Sequence, residues 1–120
     1  MLEAKAIATA YLDTWNQTIP AQRQEMLEKH WTDDPTYVDP LMAGKGKAQI
    51  AQLIAAIHER FPGFRFVLRG TPDGHGDNMR LSWSLGPARA EAPTEGSDFV
   101  QIHDGRIHHV IGFIDRAPAM

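Results

Sequence analysis

Trp31-Thr32-Asp33-Asp34-Pro35-Thr36-Tyr37-Val38-Asp39-Pro40 joins two kinds of sequence. Helix-like sequence precedes it. After it come a short loop, Gly44-Lys45-Gly46-Lys47, and another helix. Within it, Thr36-Tyr37-Val38 is a small β-prone island. Asp39-Pro40 closes the island, because Pro40 biases Asp39 towards extended backbone and away from helix. A carboxylate at the mouth of a strand, between helices, is well placed for chemistry if other parts of the chain bring it partners.

Working outward towards the N-terminus, residues 2–16 read as an amphipathic helix. Ala6, Ile7, Ala10, Tyr11 and Trp15 recur at helical spacing, and Asn16 ends it. Pro20 suits the first turn of a second helix that runs to about Lys29, with Met26 and Leu27 facing inward. Towards the C-terminus, Gly44 to Lys47 lacks the spacing and the Ser/Thr of a phosphate-binding loop, so it reads as a turn into a helix. That third helix carries one apolar stripe, Ile50, Leu53, Ile54, Ile57 and Phe61, and stops at Pro62-Gly63.

From Phe64 the period changes to two. Phe64, Phe66 and Leu68 alternate with Arg65, Val67 and Arg69, and after a turn-rich connection at 72–78, Met79, Leu81, Trp83 and Leu85 alternate with polar residues. Residues 86–96 read as a loop, 97–103 as a strand, Asp104-Gly105 as a hairpin turn, 106–115 as a last strand and 116–120 as a tail. Helices first, then an antiparallel meander, predict an α+β fold with helices on one face of a curved sheet. Such a sheet can leave a pocket between its concave face and the helices.

The length of 120 residues suits one domain, residues 1–120. The chain has no cysteine, which excludes disulfides, thiol catalysis and thiolate metal sites. A net charge of −3 and a pI near 6.0 offer no basic surface for nucleic acid or anionic lipid. Met1 to Lys5 lacks the layout of a signal peptide, and no apolar run is long enough to span a bilayer, so a cytoplasmic, soluble protein is expected.

Three polar residues fall where the patterns call for apolar or turn-forming ones. Tyr11 lies on the inner stripe of the first helix. Asp98 opens a late strand on the same face as Val100 and Ile102, and Asp39 follows the short strand. A buried carboxylate needs a partner or a raised pKa. Hydrogen bonding to a neighbouring loop would account for Asp98, and an Asx turn would account for Asp39.

The histidines are a weaker lead. His103, His108 and His109 flank the Asp104-Gly105 turn, but alternation places His108 and His109 on opposite faces, so no metal site is expected. His75 lies in a Gly-rich turn, and His30 and His58 read as helix-surface residues.

The chain resembles the nuclear transport factor 2-like superfamily, of the SnoaL-like or ketosteroid isomerase-like kind. The resemblance rests on Tyr11 to Asn16 and on Asp33-Asp34-Pro35-Thr36-Tyr37-Val38-Asp39-Pro40. It also rests on Phe61-Pro62-Gly63-Phe64, Gly96-Ser97-Asp98-Phe99 and Asp104-Gly105-Arg106-Ile107. It implies a cone-shaped fold of three N-terminal helices on a curved, mainly antiparallel sheet, enclosing a pocket.

For the site, the resemblance implies Asp39 as general base, with Tyr11 and a protonated Asp98 as donors to an enolate oxyanion. That division of labour between two acids is the known pattern of ketosteroid isomerases. Trp15, Tyr37, Trp83, Val100 and Phe113 would line the site for a small apolar ligand. No cofactor is implied, and a homodimer through the sheet is. A cyclase-type aldol closure is an alternative activity, with His75, His103, His108 or His109 as helper. A non-catalytic binding or dimerisation module is another. An epoxide-hydrolase arrangement would want arginine where Gly96 stands.

Overall fold

The structure, a computed structural model, describes residues 3–118. Its elements are α1 (Ala4–Asn16), α2 (Pro20–His30), β1 (Trp31–Val38), β2 (Ala43–Lys45), α3 (Gly46–Arg60), β3 (Phe64–His75), β4 (Asn78–Pro87), β5 (Thr94–His103) and β6 (Arg106–Arg116). Leu2, where the first helix is expected to begin, lies outside the described residues.

The six strands form one sheet in the order β2-β1-β6-β5-β4-β3. Neighbours run antiparallel except β1 and β6, which are parallel. The expected α+β architecture, with three N-terminal helices on a mostly antiparallel sheet, is the observed one. Among the described residues, no helix is long and apolar enough to cross a membrane.

The core forms where the helical stripes meet the inner pleats. Tyr11, Leu12 and Trp15 of α1, Leu27 of α2, and Ile50 and Ile54 of α3 are buried. They pack with Met79, Leu81, Trp83 and Leu85 of β4, Val100 and Ile102 of β5, and Ile107 and Val110 of β6. Ala6, expected on the inner stripe, is exposed, and Met26 is only half-buried. His58 is no surface residue either, since its Nε2 lies 2.6 Å from the Trp15 carbonyl at the end of α1.

Three strand readings change. β1 starts at Trp31, five residues before the β-prone island, and its pairing with β6 is irregular between Trp31 and Thr36. Asp33, Asp34 and Pro35 disfavour a strand, yet the fully buried Trp31 anchors that end in the core. Second, β2 pairs Ala43–Lys45 with Thr36–Val38 inside what reads as a loop. Third, β3 continues through Pro72 to His75, with irregular pairing between Arg69 and Asp73, so the turn shrinks to Gly76-Asp77.

A bulge in β6 explains a fourth difference. Gln101 pairs with His109 and Ile102 with Ile107, which leaves His108 unpaired. Alternation therefore skips a beat between buried Ile107 and buried Val110. His108 and His109 end on one side, ring centroids 4.0 Å apart, instead of on opposite faces.

Candidate functional site

Three separate elements deliver the acids and hydroxyls. α1 carries Tyr11 on its inner face, β5 carries Asp98 on the face it shares with Val100 and Ile102, and the end of β1 carries Tyr37 and then Asp39. Tyr11 and Asp98, 87 positions apart, meet directly. The Tyr11 hydroxyl donates to Asp98 Oδ2 at 2.7 Å. Tyr37 donates to Asp39 Oδ2, also at 2.7 Å. Asp39 Oδ1 accepts the Leu41 and Met42 backbone N–H groups at 2.8 and 2.9 Å. The Asx-turn expectation for Asp39 is thus met by one oxygen, while the other serves Tyr37.

The two pairs converge on Gly112, which lies opposite Asp98 in the β5–β6 register. A Cβ at position 112 would stand 2.8 Å from Asp98 Oδ1, 3.2 Å from Asp39 Cβ and 3.3 Å from the Tyr37 hydroxyl. Only a residue without a side chain lets both acids close on the β6 backbone. Gly96 does the same for an aromatic wall, because a Cβ there would come within 2.2 Å of the Trp83 ring.

Asp98 is 2% exposed, and its Oδ1 has no hydrogen-bond partner. Burial raises its pKa to about 6, against the opposing pull of the Tyr11 hydroxyl and the nearby Trp83 indole. The Asp39 and Asp115 charges push it further up. Tyr11 and Tyr37 are both raised, chiefly by burial and then by the Asp98 charge, so both stay neutral donors.

The surrounding walls are aromatic. Trp15 packs against Tyr11 (6.5 Å), Tyr37 (5.1 Å) and Phe66 (5.7 Å) between ring centroids, and Trp83 packs against Phe66 (5.1 Å). Trp15, Tyr37, Trp83 and Val100 therefore sit in the interior, around or near the acids. Phe113 does not. It is 47% exposed and packs edge-on against Phe99 on the opposite face of the sheet. One residue of register decides this, since Gly112 takes the inward position beside Asp98. Asp115 shares the outer face and accepts a bond from Ser97.

The histidines form a separate group. Thr32 Oγ1 lies 2.8 Å from His108 Nδ1, Thr36 Oγ1 bonds His109 Nδ1, and the His103 ring is 5.6 Å from that of His108. His75 is exposed near the tip of the β3–β4 hairpin. No group of three or more metal-ligating side chains exists among the described residues. Two surface clefts, of about 260 and 400 Å³, are lined by Asp13, Asn16 and Arg65 and by Asp34, His103 and Arg106, among others. Neither includes Tyr11, Asp39 or Asp98.

The sequence patterns single out the Asx turn at Asp39 but not Gly112. Gly112 was visible in principle, as a glycine in an apolar strand.

Comparison with known proteins agrees with this fold. A crystal structure of a "putative isomerase of the SnoaL-like family" from Agrobacterium tumefaciens is 42% identical, with a TM-score of 0.91 over 96% of this chain and 99% of that one. A "putative ketosteroid isomerase" from Kribbella flavida (20% identity, TM-score 0.71, 98% of this chain and 81% of that one) shares the fold. So does a "putative polyketide cyclase" from Sinorhizobium meliloti (16% identity, TM-score 0.71, 89% and 93%). No curated protein matches the chain. The model of the SnoaL-like domain matches residues 8–110, and the chain therefore belongs to the SnoaL-like family, with the nuclear transport factor 2-like fold.

Proposed function

We propose that this chain is a cofactor-free acid/base enzyme that shifts a proton beside the carbonyl of a small apolar compound, in the manner of a ketosteroid isomerase. Asp39 removes the proton from the carbon next to the carbonyl, and the electron pair moves to the carbonyl oxygen to give an enolate. Asp39 then returns the proton at the far carbon, so it ends the cycle ionised as it began. The enolate oxygen needs preorganised donors. In the resting site the Tyr11 hydroxyl is engaged with Asp98 Oδ2, so the buried, unpartnered Oδ1 is the oxygen left to carry the Asp98 proton to the substrate. Tyr11 stands behind that bond and fixes the carboxyl.

The observation that carries this reading is the meeting of Asp98 Oδ1, Asp39 and Tyr37 around the bare Gly112 backbone. Two acids with different environments in one site is the arrangement such chemistry requires. The aromatic walls suit a flat, apolar substrate. A cyclase-type helper histidine finds no support, because His103, His108 and His109 have their partners elsewhere.

The test is isomerisation of cyclohex-3-en-1-one to its conjugated isomer, followed by absorbance. Asp39→Asn is expected to reduce the rate by at least about 10²-fold. Equal rates in wild type and variant would reject Asp39 as the base, and a wild-type rate no faster than the uncatalysed reaction would favour a binding module.

The partner is proposed to be a second copy of this chain. Val38 pairs with Ile111 and Ile111 with Phe99, so three exposed apolar residues line up across β1, β6 and β5, with Phe113 beside them. A contiguous outer row of this kind fits an interface.

A further inference from the structure

Asp39 and Asp98 are held in opposite ways. Asp98 is locked in the core with one oxygen unpartnered, whereas Asp39 is only half-buried and meets three donors. A carboxylate offers about four lone-pair positions. The Leu41 and Met42 N–H groups take the two on Oδ1, and Tyr37 takes one on Oδ2, which leaves a single acceptor direction.

The two kinds of donor are not equivalent. The Asx turn needs only residues 39–42, and it lies in a strap whose Leu41 is 84% exposed. The Tyr37 hydroxyl comes from the core. Its ring is 5% exposed and packs 5.1 Å from Trp15, and its hydroxyl stands beside the same Gly112 backbone as Asp98 Oδ1. Among the described residues, Asp39 Oδ2 has no other partner.

We propose that Tyr37 is a positioning residue that ties the Asp39 carboxylate to the core, so that the last open lone pair of Oδ2 faces the reacting carbon. This rests on Asp39 being the base. Tyr37 acts through Asp39 and does not touch the reacting atoms. Without Tyr37 only the two strap bonds to Oδ1 oppose rotation of the carboxylate about Cβ–Cγ, and a misplacement of about 1 Å can reduce a rate by about 10²-fold.

Tyr37→Phe keeps the buried ring and removes the hydroxyl. With cyclohex-3-en-1-one as probe, kcat is expected to fall about 10- to 100-fold while KM changes less than about twofold. In an Asp39→Asn background the same substitution should change kcat little, because there is no carboxylate left to orient. An unchanged kcat, or the same fold-loss in both backgrounds, would overturn the proposal in favour of a structural role. A crystal structure of Tyr37→Phe gives a readout without substrate. It should show the Asp39 carboxylate in more than one rotamer, and a single unchanged rotamer would overturn the proposal. If Asp39→Asn retains full activity, the base assignment fails by that result alone, and the Tyr37→Phe structure still decides whether the hydroxyl positions the carboxylate.

Discussion

Burial raises the Asp98 carboxyl from its ordinary 3.8 to about 6, and this has a consequence for folding as well as for chemistry. The folded state binds this proton more tightly than the unfolded chain does. The stabilisation is therefore complete below pH 4 and is lost as pH rises through about 6. A shift of this size corresponds to about 3 kcal/mol at most. Asp98→Asn keeps an acceptor for Tyr11 and needs no proton. It should be more stable than wild type at pH 8 by about 2–3 kcal/mol and nearly equal at pH 4 in urea unfolding. A gain of the same size at both pH values would show that Asp98 is not the titrating group. Tyr11→Phe removes the hydroxyl that holds Oδ2. It should cost about 1–2 kcal/mol of stability and reduce turnover of the ketone probe by about 10²-fold. These two residues were legible because each is a polar group in an apolar period. Tyr37 was legible only as part of a wall, since its hydroxyl gains a role from a partner two residues along a strand end.

At the scale of the element, β6 sets the site. Its Gly112 faces inward, so both acids can approach its backbone. Gly112→Ala would place a methyl 2.8 Å from Asp98 Oδ1, which costs about 1–3 kcal/mol by overpacking and pushes the acids apart. The expected result is a lower melting temperature together with at least a tenfold loss of kcat on the ketone probe. Unchanged activity would mean that the acids need not meet at β6. Helices α1 to α3 and the β4 alternation could be read from their periods. The positions of Phe113 and of His108 and His109 could not be read with the same ease. A single bulge reverses facing without leaving any mark in composition. Likewise β1 and β6 pair in parallel through residues more than 70 positions apart, and nothing local signals such pairing.

At the scale of the whole molecule, the cone folds Tyr11, Asp39 and Asp98 from three distant stretches into one cluster, and leaves an apolar row on its outside. Ile111→Glu with Phe99→Glu should shift sedimentation from a dimer to a monomer with the fold intact, since both residues are about half exposed. A wild type that sediments as a monomer at every concentration would reject the interface. The fold was legible because helical and strand periods divide the chain cleanly. The convergence was not, because it depends on sheet order. Its chemical claim is that neutral Asp98 donates while ionised Asp39 accepts, and the direct measurement is kcat/KM against pH for wild type and Asp98→Asn on cyclohex-3-en-1-one. Wild-type kcat/KM should fall as pH rises through about 6, and Asp98→Asn should remain active without that fall. A wild-type profile that is flat through that range, or a fall that persists in Asp98→Asn, would contradict the account.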